Sequence, residues 1–330
     1  MRAFYCPPSF GQVVDRRATM KQQTTMPTFS EALRRFGPDV PAVPISIEDS
    51  LAYCRRLAET HYENFTVTSF LLAKRLRQPF HVVYAYCRWA DDLSDEVGGS
   101  EENREESLRL LDWWKRELNH CFDGSEPPTH PVYVALRKIA QEFGLPKQPF
   151  ADLLVAFRRD QTQCRYETMD DLLDYCRFSA NPVGRIVLQL GYGASDGPSE
   201  QALRWSDSIC TGLQLANHWQ DIARDFRIGR CYVPGAIASR FGVDREHLSE
   251  TDNFRRMMRF LVDDARKRLR FGEPLLASAP KLIRTEVALF QRGGLAVLAA
   301  IEKARYNILA YRPVVSRWTK LRLLLRALFG

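Results

Sequence analysis

The chain has no run of 18 or more uncharged apolar residues, so no segment of its 330 residues reads as a membrane-spanning helix. Its N-terminus lacks the apolar stretch and small-residue cleavage site of a secretory signal, and a cytoplasmic location is expected. No G-x-x-x-x-G-K-S/T phosphate loop occurs. Gly191-Tyr192-Gly193 with Gly197 follows a helical pattern rather than a strand, so it reads as a turn and not as a dinucleotide fingerprint. Nucleotide and hydride chemistry therefore have no motif here, and no nucleotide cofactor is expected. G-x-S-x-G and H-E-x-x-H are also missing. The eight cysteines form no C-x-x-C pair and no His-flanked zinc spacing, which leaves most of them as buried small hydrophobes in a reducing compartment.

Alternating strand patterns and repeat periods are absent as well. From Ile45 onward helical patterns follow one another, punctuated at Pro79, Gly98-Gly99, Gly124 to Pro131, Gly144 to Pro149, Gly191 to Pro198, Gly229 to Gly235, Gly242 and Gly272 to Pro280. Ser100, Thr168 and Ser199 carry N-cap signatures. About ten helices without strands predict an all-α fold, a single helical domain around a central apolar cavity. Residues 1–44 are expected to form a poorly ordered extension with one short helix near Ser30 to Phe36, residues 45–311 the domain, and residues 312–330 a basic amphipathic segment.

The charge is uneven. From Lys303 to the end there are seven basic residues and no acid, equal to the whole net excess of +7. These cations alternate with Val314, Val315, Trp318, Leu321 and Leu323 to Leu325, a mixture that suits a helix on anionic lipid better than a nucleic-acid contact. A terminal helix packed on the domain with its cations at the rim fits equally.

Two aspartate clusters, Asp91-Asp92-Leu93-Ser94-Asp95 and Asp221-Ile222-Ala223-Arg224-Asp225, lie 130 residues apart. Helical geometry puts Asp91 above Asp95 and Asp221 above Asp225, each pair a short acidic strip on one face. Like charges at this spacing cost roughly 0.2–0.5 kcal/mol in an exposed helix and more in a low-dielectric cavity. A hard cation offsets that cost. Mg²⁺ takes one or two carboxylates and leaves its other positions to water and phosphate, so facing strips could hold several ions around one diphosphate. Each strip also extends along its helix. Tyr84, Arg88, Asp91 and Asp95 fall at i, i+4, i+7 and i+11, and Gln214, Asn217, Asp221 and Asp225 at i, i+3, i+7 and i+11, in otherwise apolar segments. A polar seam in an apolar helix must be paired or bind a ligand.

The chain resembles the squalene/phytoene synthase family, the head-to-head class of isoprenyl diphosphate enzymes, from about Ser46 to Leu328. The resemblance rests on Tyr84-Ala-Tyr-Cys-Arg-Trp-Ala-Asp-Asp-Leu-Ser-Asp-Glu96, on Tyr175-Cys-Arg-Phe-Ser-Ala-Asn-Pro-Val-Gly184, and on the run from Gln214 through Asn217, Asp221 and Asp225 to Pro234. His61-Tyr-Glu-Asn-Phe65, Ser179 to Gly184 and Asn217-His-Trp-Gln-Asp221 are similar to the hydroxysqualene synthases of the hopanoid pathway.

That resemblance implies presqualene diphosphate as substrate, with hydroxysqualene and diphosphate as products. It implies Mg²⁺ held by Asp91, Asp95, Asp221 and Asp225, and donors to the diphosphate from Arg88, Arg230 and Tyr232. His61, Asn64, Gln214 and Asn217 would help place it. Phe65, Tyr84 and Phe178 would offer aromatic faces to a carbocation. Ala180 and Gly184, on a helix kinked by Pro182, would leave room for the prenyl chains. Asn181 and Tyr62 are candidates for directing water, each also readable as a core residue. Head-to-head condensation of two prenyl diphosphates is the nearest alternative, and a non-enzymatic, membrane-associated helical scaffold a more distant one. Other enzymes of the same pathway are candidate partners.

Overall fold

Local signals start and stop the helices in the computed structural model, which describes residues 28–61, 72–95, 101–124, 127–316 and 318–323. Thr168 opens the Met169–Ser179 helix with a reciprocal capping box: its Oγ1 accepts from Asp171 N at 3.1 Å and its own N donates to Asp171 Oδ2 at 2.8 Å. Ser199 caps Glu200–Arg227 through Ala202 N. Ser100 lies outside the described residues. No strand forms among those residues; one isolated parallel bridge joins Arg165 and Cys231. The all-α class expected from the sequence is what the chain adopts.

The residues group into two compact units, within Ser9–Lys147 and Gln148–Gly330. In the first, Ile47–His61 packs against Lys74–Asp95 and Pro131–Phe143, with Glu101–Asp123 alongside. Their shared core is aromatic. Trp89 stacks on Trp114 at 5.5 Å, and its Nε1 donates to Tyr53 Oη at 2.9 Å. His130 caps the Pro131–Phe143 helix, accepting on Nδ1 from Val132 N, and meets Trp89 and Trp114 edge-to-face at 4.4 and 4.8 Å. Burial pushes this imidazole well below its ordinary pKa, so it stays neutral among the rings.

Two local expectations differ from the structure. Within the extension expected to be poorly ordered, the short helix expected near Ser30 to Phe36 forms as Phe29–Phe36 and is docked: Thr28 forms a capping box with Glu31, Phe29 lies on Trp89, and Phe36 lies on Tyr53 and His130. Three ring contacts to buried partners hold what composition alone would leave loose. Pro79 does not break a helix either. It is buried in the second turn of Lys74–Asp95, where only one backbone bond is forfeited.

In the second unit the 28-residue helix Glu200–Arg227 packs against Asn181–Tyr192, Asp252–Phe271 and Arg284–Lys303. From Thr211 to Ile222 every residue but Leu213 is buried, as a helix with neighbours on several sides must be.

Candidate active site

The first strip sits at the C-terminal end of Lys74–Asp95. Tyr84 is buried, and burial, then the charges of Asp92 and Asp91, keep its phenol protonated. Asp91 is half-buried and Asp95 exposed. Burial holds the Asp91 carboxyl above the ordinary range; Asp95, one turn on, adds to the shift and Arg88 opposes it. Arg88 itself grips a different carboxylate. Its Nε donates to Asp92 Oδ2 at 2.9 Å and its Nη2 pairs with Oδ1, so the buried Asp92, rotated from the strip, is neutralised in place. His61 ends the Ile47–His61 helix, and its side chain lies outside the described residues, as do Asn64, Phe65 and Tyr62.

The second strip runs along Glu200–Arg227. Gln214, Asn217, Asp221 and Asp225 are all at most 5% exposed, so the spacing does place four polar side chains in the interior of the unit. Gln214 Oε1 has no hydrogen-bond partner among the described residues. Asp221 meets a guanidinium from far along the chain: Arg312 Nε lies 2.5 Å from its Oδ1 and Nη2 3.3 Å from its Oδ2. Gln220 fastens the same segment, accepting from Arg312 Nη2 at 2.9 Å and donating to Pro313 O at 2.5 Å. Sequence reasoning missed Gln220 and Arg312. The available signal was electrostatic, since a buried carboxylate needs a cation and the acid-free tail holds a surplus of them.

The helix ends through a turn that needs Gly229 in the left-handed region, at φ +76. Arg230 N then closes back on Asp225 O at 2.9 Å. Cys231 N bonds Cys164 O at 2.8 Å, which ties the following residues to 164–167. Arg230 and Tyr232, both half-buried, flank the end of the strip. Tyr232 stacks on His218 at 3.6 Å and on Tyr166 at 5.8 Å, and Tyr175 Oη donates to Asp160 at 2.8 Å. The crevice lined by His218, Asp225, Arg230 and Tyr232 has no room for a water molecule.

Around the segment from Phe178 to Gly184 the surroundings differ from those the expected roles assume. Pro182 starts a new helix, Asn181–Tyr192, after a break at Ala180, instead of kinking one. Gly184 opens no space: a Cβ there would meet Ser206 Oγ at 2.4 Å and Cys210 Sγ at 2.6 Å, so the missing side chain lets two helices approach. Ala180 is buried beside that contact. Phe178 already carries two guanidiniums, Arg159 at 4.7 Å and Arg177 at 4.5 Å from its ring centre. Asn181 accepts from Thr211 Oγ1 at 2.9 Å, the satisfied core arrangement.

The donor set of both strips is carboxylate oxygen, the chemistry a hard divalent ion prefers. Among the described residues no three His, Cys, Asp or Glu side chains cluster as a complete metal cage. At Asp221 the positive group present is the Arg312 guanidinium.

Comparison with known proteins gives a consistent result. The family model described as squalene/phytoene synthase matches residues 58–319. A hydroxysqualene synthase of Rhodopseudomonas palustris is 37% identical over 195 residues, 58% of this chain and 62% of that protein. The match to it and to its Sinorhizobium fredii and Zymomonas mobilis counterparts therefore spans less than two thirds of those relatives. A 15-cis-phytoene synthase of Synechocystis is 29% identical over 94% of this chain and 95% of its own. Among solved structures, squalene synthase HpnC from Alicyclobacillus acidocaldarius is 40% identical, covering 81% of this chain and 98% of that one with a TM-score of 0.72. A dehydrosqualene synthase bound to a ligand is 25% identical, covering 85% and 96%, with a TM-score of 0.73.

Proposed function

The chain belongs to the squalene/phytoene synthase family, and from that membership we propose that it is an enzyme acting on prenyl diphosphates. Its reaction, in this reading, is ionisation of presqualene diphosphate, rearrangement of the cyclopropylcarbinyl cation and capture of one water, giving hydroxysqualene, diphosphate and a proton. The observation that carries the proposal is the buried stripe Gln214, Asn217, Asp221 and Asp225, which places two carboxylates and two amides in an apolar interior. Such a seam is costly unless its members are paired, as Asp221 is with Arg312, or serve a polar ligand.

Asp91 and Asp95 in the first unit, and separately Asp221 and Asp225 in the second, would each be Mg²⁺ ligands. The bound ions supply Lewis acidity, neutralising the leaving diphosphate and lowering the barrier to C–O cleavage. The chain's own groups do the rest. Tyr84, held as a neutral phenol, donates a hydrogen bond without adding charge. Arg230 and Tyr232 stand at the end of the second strip as further donors. The apolar packing around the stripe keeps bulk water from the cation until the final step.

Hydroxysqualene synthases at 36–38% identity support the water-capturing branch. A coupling of two prenyl diphosphates is the second reading, supported by likeness to a phytoene synthase over nearly the whole chain. Diphosphate release measured with presqualene diphosphate or farnesyl diphosphate, each with Mg²⁺ or EDTA, separates them. Mg²⁺-dependent release from presqualene diphosphate alone is expected. Turnover of farnesyl diphosphate to presqualene diphosphate would favour coupling, and no release from either substrate would leave the scaffold reading.

A further inference from the structure

The helical turn over residues 318–323 is inside out. Lys320 is 4% exposed, while Trp318 is 80% exposed and Leu321 44%. Folding normally sinks the indole and leaves the ammonium in water, so this turn spends burial on the wrong residues unless its outer face meets something apolar. Trp318 and Leu321, three positions apart, share one side of the turn. Tyr311 and Val314, at 53% and 60%, continue the exposed apolar surface upstream. Four of the ten large hydrophobics exposed among the described residues thus fall within eleven positions, a local concentration rather than scatter.

The charged residues of the segment itself have one sign. Lys303, Arg305 and Arg322 are exposed, and no acid follows Glu302 in the sequence. Beside it a groove of about 430 Å³ is lined by Arg292, Lys303 and Arg322 together with Leu295, Val314 and Leu323. A second copy is a poor occupant, because a two-fold contact would set these cations against themselves. A nucleic acid would satisfy the cations and leave Val314 and Leu321 in water.

We propose that this face docks the protein on an anionic lipid bilayer, with Trp318 and Leu321 entering the interface and Lys303, Arg305 and Arg322 against the lipid phosphates. Trp suits that depth because its ring is apolar and its N–H polar. The cations add attraction that salt screens, and the apolar side chains add what salt does not remove. The proposal stands apart from the reaction assigned above.

Co-sedimentation of the full chain with phosphatidylcholine vesicles, with and without phosphatidylglycerol, tests it. Binding is expected to the anionic vesicles and to fall as NaCl rises. Trp318→Ala/Leu321→Ala should bind about tenfold more weakly with an unchanged melting temperature. Lys303→Glu/Arg322→Glu should lose the preference for anionic vesicles while keeping diphosphate release intact. Equal binding to neutral and anionic vesicles, or wild-type binding by both variants, would overturn the proposal. So would a concentration-dependent dimer that Trp318→Ala/Leu321→Ala dissolves without any change in vesicle binding.

Discussion

Arg312 and Asp221 stand 91 positions apart and meet through two hydrogen bonds, with the carboxylate 2% exposed and the guanidinium 32%. The tail thus supplies the counter-charge for an aspartate that the sequence assigns to a metal strip. Removing the guanidinium leaves a buried anion uncompensated, which costs about 2–5 kcal/mol. Arg312→Ala is therefore expected to melt well below wild type without added metal. If Asp221 takes Mg²⁺, the ion restores what the guanidinium supplied, so millimolar Mg²⁺ should raise the melting temperature of the variant more than that of wild type. Equal Mg²⁺ effects on the two proteins would count against a metal at Asp221.

Asp221→Asn and Asp225→Asn keep the shape of the buried stripe and remove its charge. Loss of the several kcal/mol that a bound ion contributes to diphosphate departure corresponds to about 10²–10³-fold in kcat. Steady-state diphosphate release should fall by that factor in each variant while the helical circular dichroism is retained. Activity within a few-fold of wild type in both would contradict the assigned role.

Gly184 makes a packing prediction. A methyl group there meets Ser206 Oγ and Cys210 Sγ, an overpacking that costs about 1–3 kcal/mol. Gly184→Ala should lower the denaturation midpoint, and adding Ser206→Ala and Cys210→Ala should recover part of the loss by removing both obstructing atoms. A Gly184→Ala protein as stable as wild type but impaired in substrate KM would return this glycine to the prenyl-chain role expected from the sequence.

Glu286, buried in the first turn of Arg284–Lys303, has its carboxyl pushed up to about 7 by burial. An acid whose pKa is higher in the folded state binds its proton there over a range where the unfolded chain has released it. Its charged form therefore weakens the fold increasingly as pH rises from about 4.5, and fully above about 7. Glu286→Gln removes that cost, about 2–4 kcal/mol at high pH. The stability gain of Glu286→Gln over wild type, measured by urea unfolding, should be near zero at pH 4.5 and largest at pH 8; a gain independent of pH would contradict the burial argument.

The sequence made the local periodicity of the site legible and hid its distant partners. Spacing alone put Gln214, Asn217, Asp221 and Asp225 on one face, and the structure buries all four, because helical geometry is set within a few residues. Thr168 and Ser199 were readable as caps for the same reason. Arg312 was not readable as the partner of Asp221, since a tertiary ion pair leaves no mark on neighbouring positions. Pro182 was misjudged because a proline looks the same from the chain whether it kinks a helix or starts one. Phe29 and Phe36 carried too few apolar neighbours to stand out, yet their rings dock on the Trp89 and His130 cluster. Their order comes from the partner surface and not from their own segment.

The central claim is water capture after loss of diphosphate from a C30 substrate, and labelled solvent tests it most directly. Presqualene diphosphate is incubated with the protein and Mg²⁺ in water enriched in ¹⁸O, and the organic product is analysed by mass spectrometry. The account predicts hydroxysqualene with one ¹⁸O in its hydroxyl group, formed in step with free diphosphate. Unlabelled hydrocarbon, or unchanged presqualene diphosphate beside consumption of farnesyl diphosphate in a parallel reaction, would contradict it.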